Sequence, residues 1–175
     1  MVLKAKGLIF LIVLSIAGWA MGCGSIQTEG RLETYENQFM EMEYPAEWTY
    51  EEIEDESFAA VRFEEEGEGF VFEMSISRIE NWLTEEEKLN MMEDIALEQS
   101  EEQGFEILEN EEIQIDGHSG LKIIDQHPDR GRRKTIATVF NYHQLAINFS
   151  GSEEAYETHK ETVNEMIESI EIIRR

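Results

Sequence analysis

The sequence predicts an α+β fold in which an antiparallel β-sheet meander packs with two amphipathic helices. Short segments of alternating apolar and polar residues recur along the chain, as in strands that bury one face. Thr84 opens one helical segment in the middle of the chain, and Ser152 opens another near its end. The dipeptide Asp116-Gly117 is typical of a tight hairpin between antiparallel strands.

The first half of the domain is predicted to consist of strands. Residues 39–44 alternate apolar and acidic side chains, and the turn at 45–48 ends this strand. We expect Trp48 in that turn to lie under the edge of the sheet. Further strands are predicted over residues 49–53, 57–63 and 70–79.

A helix is predicted to begin after Thr84. Thr84 and Glu87 have the spacing of a capping box, in which each side chain bonds the other residue's backbone amide. Gly104 is a suitable residue for the end of this helix. One side of the helix carries Leu89, Met92, Ile95, Ala96 and Gln99.

The second half is predicted to contain four strands and a final helix. The strands cover residues 105–115, 118–126, 135–142 and 143–150, with a turn at 127–131. The final helix is capped by Ser152, and its apolar stripe consists of Tyr156, Val163, Met166, Ile167 and Ile170.

Residues 1–22 are interpreted as a lipoprotein signal peptide. Lys4 and Lys6 precede an apolar run over residues 7–19, which is shorter than the about 20 residues a membrane span needs. Residues 20–23 resemble the bacterial lipoprotein box, and the resemblance implies that the thiol of Cys23 receives a lipid and becomes the mature N-terminus. The alternative is an ordinary cleaved signal peptide with an incidental cysteine.

The rest of the chain is divided into a short tether, residues 23–31, and a single domain, residues 32–175. A flexible tether of this length reaches about 15–20 Å, so the domain is expected close to the membrane on its extracytoplasmic face. Cys23 is the only cysteine, which excludes an internal disulfide and a thiolate metal site.

The chain is strongly acidic, with 14 basic and 39 acidic residues and a net charge of −25. Removal of Lys4 and Lys6 with the signal peptide lowers the net charge by two, to −27. Phosphates would be repelled, so we expect no nucleic-acid partner and no adhesion of the domain to anionic headgroups. The acid excess indicates solubility or adaptation to high salt.

The order of three motifs resembles the PsbP-like fold, an α/β/α sandwich. An early strand leads into Tyr44-Pro45-Ala46-Glu47-Trp48, and the hairpin Ile115-Asp116-Gly117-His118-Ser119-Gly120 precedes two long strands. The third is the run from Phe149-Ser150-Gly151 through Tyr156 to Glu168-Ser169-Ile170. The resemblance covers residues 32–173.

The PsbP-like family implies a function class. It includes lumenal photosystem II extrinsic proteins, bacterial lipoproteins of the DcrB type and a Ran-binding nuclear import factor. Its members mostly bind other proteins or support assembly, and as a rule they are not enzymes. The chain lacks the long basic N-terminal segment of the photosystem members, so a photosynthetic role is not implied.

The first candidate site is a basic hairpin tip in an otherwise acidic chain. Arg130, Arg132, Arg133 and Lys134 lie within five positions and suit an acidic partner or an anionic ligand. The alternative is a solvated turn that relieves local acid repulsion. Trp82, just before the first helix, is a second candidate for partner contact, the alternative being a core or rim position.

Metal binding and catalysis receive little support from the sequence. The four histidines have no metal-ligand spacing, and His159 is interpreted as a packing residue of the last helix. The glutamate clusters lack the pattern of a strong calcium loop, and no nucleophile motif is present. We therefore expect no metal site, catalytic residue or cofactor.

These features predict a membrane-anchored, non-enzymatic lipoprotein. It would act as a protein-binding or assembly module with an envelope protein as its partner. The alternative is a lipoprotein associated with transport that binds a small ligand or a metal ion such as calcium.

Overall fold

The computed structural model describes residues 31–54, 58–79 and 82–173. The predicted signal peptide, Cys23 and nearly all of the tether lie outside the described residues. The described residues form ten strands and two helices, in the following order: β1 (Leu32–Glu36), β2 (Met40–Pro45), β3 (Thr49–Glu54), β4 (Phe58–Glu64), β5 (Phe70–Arg78), α1 (Glu85–Glu102), β6 (Glu106–Ile115), β7 (His118–His127), β8 (Gly131–Phe140), β9 (His143–Gly151), α2 (Glu153–Glu168) and β10 (Glu171–Ile172).

The large sheet has seven strands in the order β3-β4-β5-β9-β8-β7-β6, and all neighbours are antiparallel. It consists of two meanders, β3 to β5 and β6 to β9, which meet where β5 pairs with β9. That pairing runs from Phe70 opposite Gly151 to Arg78 opposite His143. The sheet therefore joins strands that α1 and three further strands separate in sequence.

One face of the large sheet carries the main core. Helix α2 and the small sheet, in the order β1-β2-β10, cover this face. Burying a large apolar side chain contributes roughly 1.5–3 kcal/mol relative to leaving it exposed. Because most of the buried apolar side chains lie in this layer, it supplies most of the hydrophobic stabilisation. Its fully enclosed side chains include Met42, Phe63, Phe72, Leu145, Phe149 and Val163.

Helix α1 covers the opposite face over β7 and β8. Its inner side chains Leu89, Met92, Ala96 and Leu97 pack on Leu121, Ile123 and Ala137. The helix begins as the sequence predicts, because the amide of Glu87 donates to Thr84 Oγ1 (3.2 Å) and the amide of Thr84 donates to Glu87 Oε2 (2.8 Å). Gly104 follows its end with a φ of +79°. Helices on both faces of an antiparallel sheet confirm the predicted α+β fold.

Several details differ from the sequence prediction, among them the following two. Strand β1 was not anticipated, because of its five side chains only Tyr35 is buried and the alternation is weak. Strand β8 begins at Gly131, whereas the prediction began this strand at Thr135. The turn before it is therefore short, and three of the four cations assigned to the hairpin tip lie inside β8.

The large sheet has two distinct ends. One end lies next to Arg31, the first residue that the structure describes. The carbonyl of Arg31 accepts a hydrogen bond from the amide of Ala46 (2.8 Å), and the nearby Trp48 packs on Phe70 at 4.7 Å between ring centroids. We call this the entry end. It contains the β4–β5 turn, the β7–β8 turn and the start of α2.

The far end contains the β8–β9 turn, the end of β5 and the start of α1. The ten-residue strand β8 runs from one end to the other, a distance of about 30 Å.

Candidate functional site

The basic cluster of residues 130–134 does not form one surface. Successive side chains of a strand point to opposite faces of the sheet. Arg132 and Lys134 therefore lie on the face covered by α2, and Arg133 lies on the face covered by α1. Arg130 precedes β8 and is exposed in the β7–β8 turn.

Arg132 bonds two carboxylates of α2. Its Nη1 donates to Glu157 Oε1 (2.6 Å) and its Nη2 donates to Glu153 Oε1 (3.2 Å). The guanidinium also lies 5.4 Å from the ring centroid of Tyr156. Burial raises the pKa of Tyr156 to about 12, so its hydroxyl stays neutral. Arg132 thus fastens the first turns of α2 to the sheet.

Arg133 belongs to a buried network on the other face. Its Nε donates to Asp125 Oδ1 (3.1 Å), and its Nη2 donates to Asp125 Oδ2 (2.5 Å) and to Ser100 Oγ (2.9 Å). The guanidinium lies 4.4 Å from the ring centroid of Phe105. Asp125 is only 1% exposed, so this bidentate pair fixes the end of α1 on β7 and β8.

Lys134 is buried between the sheet and α2. Its Nζ donates to Asn164 Oδ1 (2.5 Å), and its exposed fraction is 7%. Burial lowers the pKa of Lys134, and the charge of Lys122 lowers it further. A partner could reach this ammonium only by displacing α2.

Arg130 lines an open cleft at the entry end. The cleft has a volume of about 360 Å³ and lies between the β7–β8 turn and the start of α2. Its lining includes Asp129, Ser152 and Glu153. Of the four cations in the basic cluster, Arg130 is the one that the fold leaves exposed.

Trp82 lies at the far end of the molecule and is 71% exposed. Tyr142 is 51% exposed in the β8–β9 turn, which the far end also contains. The amide of Ile79 donates to the carbonyl of Tyr142 (2.8 Å), which joins this turn to the chain just before Trp82. We call Trp82 and Tyr142 the far-end aromatic pair.

Tyr142 was not recognised from the sequence as a candidate. The pattern included it in a strand, but Asn141 has a φ of +53° and begins a tight turn instead. The signal that could have identified the turn is Asn141, since asparagine tolerates this conformation better than most residues.

Trp82 and the basic cluster were both predicted as partner contacts. Because they lie at opposite ends of the sheet, they are about one strand length apart, about 30 Å.

The histidines are dispersed. His118 and His143 contact Phe140 at the far end, and His127 contacts Phe105 at the entry end. Burial lowers the pKa of His143, and the charge of Arg78 lowers it further. Among the described residues, no three His, Cys, Asp or Glu side chains are arranged to hold a metal ion.

His159 packs in the core, as the sequence predicts. It is 8% exposed, and its ring lies 4.2 Å from that of Phe70 and 5.9 Å from that of Trp48. Two carboxylates of the β4–β5 turn flank it: Glu68 Oε2 is 3.6 Å from Nε2, and Glu65 Oε2 is 3.9 Å from Nδ1. Within the described residues, Nε2 has no hydrogen-bond partner.

Comparison with protein families gives a match over nearly the whole predicted mature chain. A family model described as PsbP-like protein matches residues 23–172. No curated protein sequence matches the chain. Within the described residues, neither helix is long and apolar enough to cross a membrane.

Three solved structures share the fold at low sequence identity. Cyanobacterial PsbP (CyanoP) from Synechocystis sp. PCC 6803 is 17% identical, with 87% of this chain and 98% of that chain covered and a TM-score of 0.59. PA94 from Pseudomonas aeruginosa is 16% identical, covering 83% and 99%, with a TM-score of 0.51. LpqN of Mycobacterium tuberculosis, described as involved in cell envelope biogenesis, is 11% identical, covering 85% and 88%, with a TM-score of 0.52.

Proposed function

The chain belongs to the PsbP-like protein family, and from this membership we propose that it is a membrane-anchored, extracytoplasmic accessory protein. It binds another protein of the cell envelope and catalyses no reaction. The family contains proteins that mostly bind other proteins or support assembly, and one protein of the same fold is described as involved in cell envelope biogenesis. The character of the family favours a binding role over an enzymatic one, and the description of that protein favours a place in the cell envelope.

The proposed anchor is a lipid on Cys23. Cys23 is eight positions before Arg31, the first residue that the structure describes, and eight residues span at most about 29 Å when fully extended. The entry end of the sheet therefore faces the membrane in this proposal. The far end then points away from the membrane, where another envelope protein can approach it.

The far-end aromatic pair is the observation that carries the binding function. Trp82 is 71% exposed and Tyr142 is 51% exposed, although both have large, mainly apolar side chains. Large aromatic side chains are enriched among the residues that dominate binding energy at protein interfaces. We propose that a partner protein buries both rings.

Arg130 remains a second proposed contact, at the entry end. A partner or a lipid phosphate can reach it without breaking an ion pair of Arg132 or Arg133. Contact through those two residues, or through Lys134, would require a partner to replace the bonds they make within the domain. The proposed contact at the basic cluster therefore narrows to Arg130.

Co-purification tests the binding proposal. The full chain is extracted from cells in mild detergent, alongside a variant with Trp82→Ser and Tyr142→Ser. A partner that co-purifies with the wild type should be lost from the variant, while the circular dichroism of both proteins stays the same. Ile53→Ser is the matched control, since Ile53 is a 68% exposed apolar residue in β3. Equal recovery of the partner with both proteins would contradict the proposal.

Metabolic labelling with a fatty acid tests the anchor independently. The wild-type chain should incorporate the label and remain with the membrane fraction. Cys23→Ala should incorporate none, and Ser25→Ala serves as a nearby control that keeps the thiol. Equal labelling of Cys23→Ala and the wild type would overturn the anchor while leaving the binding test unaffected.

The open cleft beside Arg130 favours a second candidate function, the binding of a small anionic ligand or a calcium ion. Its volume of about 360 Å³ is within the range of small-molecule sites, and its lining carries the cation Arg130 and the carboxylates of Asp129 and Glu153. A ligand that binds the native state raises the midpoint of thermal unfolding. Calcium chloride and phosphate are the probes, with Arg130→Gln as the matched variant.

A further inference from the structure

Strand β6 lies at one edge of the large sheet. Within the described residues, β7 is the only strand that pairs with it. β6 is ten residues long, whereas β3 at the opposite edge has six, and the first seven residues of β6 are all exposed. A long, exposed edge strand presents a row of backbone groups with which another strand can pair.

The register of the β6–β7 hairpin identifies the backbone groups that face outward. Residues 116–117 both have positive φ, +45° and +78°, as in a type I′ turn, so the flanking residues Ile115 and His118 form a hydrogen-bonded pair. Hydrogen-bonded and non-hydrogen-bonded pairs alternate along an antiparallel ladder. The residues whose N–H and C=O groups point away from β7 are therefore Asn110, Glu112 and Gln114.

A β-bulge limits the part of β6 that another strand can follow. The register shifts between Ile107 and Glu109, and a bulge bends the strand that carries it. From residue 109 to residue 115 the pairing with β7 is regular, over a length of about 20 Å. We call residues 109–115 the open edge.

One face of the open edge already binds a lysine. Glu111 lies directly opposite Lys122 of β7, and the two side chains form an ion pair. Glu109 Oε2 also lies 3.1 Å from Lys122 Nζ, so two carboxylates share one cation on this face. Opposite charges directly across a ladder stabilise paired strands. A cation on an added strand would face Glu111 from the other side in the same way.

The other face of the open edge is acidic as well. Glu112 points to this face, and its neighbour there, Asn110, donates from Nδ2 to Glu93 Oε1 of α1 (2.6 Å). Strand β6 itself contains four glutamates and no basic residue. The side chains next to the outward backbone groups thus carry net negative charge on both faces of the sheet.

These charges determine which strand can be added. A second copy of the chain is disfavoured, because pairing β6 with β6 would bring glutamates against glutamates. A basic strand is favoured for the same reason. On the α2 face the glutamates are followed by Ile113 and Ile115, which pack on the main core, so apolar side chains of the added strand can lie beside these two residues.

We propose that the open edge binds an extended basic segment of another protein as an eighth strand of the large sheet. All neighbours in this sheet are antiparallel, and the added strand continues that pattern. Its N-terminal half carries apolar residues opposite Ile115 and Ile113, and its C-terminal half carries Arg or Lys opposite Glu111 and Glu109. The contact involves neither the far-end aromatic pair nor Arg130, so its test is independent of theirs.

Two synthetic peptides of equal charge test the pairing. Each has about nine residues, a usual length for a strand, with β-branched residues in its first half and two arginines, two positions apart, in its second half. The central residue, which lies opposite Glu112, is threonine in one peptide and proline in the other. Proline lacks the N–H that would face β6.

The two peptides are titrated against the full chain in mild detergent. The threonine peptide should bind at least about tenfold more tightly, because the proline peptide loses a backbone hydrogen bond and cannot continue a strand. Equal affinity would show that the acidic domain attracts basic peptides through charge alone and would overturn the proposal. So would a failure of the threonine peptide to bind.

A matched pair of variants tests the edge itself. Glu112→Pro removes the outward N–H and the charge, whereas Glu112→Gln removes the charge alone. Proline is tolerated on an edge strand where the N–H it replaces would face solvent, so the β6–β7 ladder should remain. Glu112→Gln should weaken binding of the threonine peptide by less than about fivefold, and Glu112→Pro by about tenfold more. Equal affinities of the two variants would contradict pairing at this edge.

Amide hydrogen exchange of the wild type, followed by nuclear magnetic resonance, decides the question if Glu112→Pro does not fold. In the free chain, the outward amides of Asn110, Glu112 and Gln114 should exchange quickly. The amides of Glu111 and Ile113 should exchange slowly, because they are bonded to β7. Saturating threonine peptide should slow exchange at the three outward amides. Unchanged exchange at all three would overturn the proposal.

Discussion

At the scale of single residues, the basic side chains of β8 stabilise the domain through partners on both faces of the sheet. The bidentate pair of Arg133 with Asp125 has a carboxylate that is only 1% exposed, and Ser100 completes the network. Removing one member of a buried pair leaves the other charge without compensation, which costs far more than the loss of a surface ion pair. The stability of the domain should therefore depend strongly on Asp125.

Asp125→Asn is expected to lower the free energy of unfolding by about 3 kcal/mol, because the guanidinium of Arg133 loses its charged acceptor. Urea denaturation of the two proteins measures the difference. Asp129→Asn, in the exposed β7–β8 turn, is the control and should change the value by less than about 0.5 kcal/mol. Similar losses for both variants would show that the network contributes no more than a surface charge.

His143 is expected to make the domain less stable in acid. Burial lowers its pKa in the folded state, and the charge of Arg78 lowers it further. Below the ordinary histidine pKa of about 6.5 the unfolded chain therefore binds more protons than the folded one, and stability falls as the pH falls. The loss ends below the folded pKa, where both states are charged.

The variant His143→Phe tests this sign, because it keeps the contacts with Phe39 and Phe140 but cannot take up a proton. The free energy of unfolding is measured near pH 7.5 and near pH 5, on either side of the ordinary histidine range. The wild type should lose more stability between the two conditions than the variant. An equal or smaller loss in the wild type would contradict the assigned direction.

At the scale of elements, the β7–β8 turn is held against the end of β9 by a close backbone approach. Gly131 has a φ of +80°, and a Cβ atom there would overlap the carbonyl of Gly151. Gly67 in the β4–β5 turn has a similar φ of +89° but open space around it. Alanine substitutions at the two glycines therefore distinguish the energetic cost of the backbone conformation, which both share, from the cost of the steric overlap, which arises only at Gly131.

Gly67→Ala should therefore destabilise the domain by about 1–2 kcal/mol, the cost of a left-handed residue with a Cβ. Gly131→Ala should cost about 2 kcal/mol more than that, because overpacking adds to the same backbone cost. Denaturant unfolding of both variants gives the comparison. If the two alanines cost the same, the turn does not approach β9 as closely as the structure shows.

Most elements could be predicted from the sequence because each has a local signal. The alternation in residues 70–79 and the capping box at Thr84 depend only on neighbouring side chains. Strand β1 gives no such signal, since its surroundings bury only Tyr35, and the start of β8 was obscured by three consecutive basic residues. The charge of residues 132–134 indicated a longer turn. In the structure these residues continue strand β8, because strand pairing depends on residues that are distant in sequence.

At the scale of the whole molecule, the net charge of −25 opposes the compact state. Screening of this repulsion strengthens as the Debye length falls from about 10 Å at 0.1 M salt to about 3 Å at 1 M. The urea midpoint of the wild type should therefore rise between these two salt concentrations. Sodium and potassium chloride should act alike, and a rise with only one cation would indicate specific binding instead of screening.

The arrangement of the candidate sites could not be predicted from the sequence. The pairing of β5 with β9 joins segments about 70 residues apart, and no local pattern specifies it. That pairing, with the ladder from β8 to β9, separates Arg130 at the entry end from Trp82 and Tyr142 at the far end. Trp82 and the basic cluster, which were both predicted from the sequence to contact a partner, thus lie at opposite ends of the molecule.

The proposed orientation, with the entry end at the membrane and the far end toward a partner, is the central claim. Photo-crosslinking in intact cells tests it most directly, with a photoreactive amino acid in place of Tyr142 in one strain and of Arg130 in another. We predict one dominant protein adduct from position 142 that Trp82→Ser abolishes, and lipid adducts or none from position 130. A dominant protein adduct from position 130, with none from position 142, would contradict the claim.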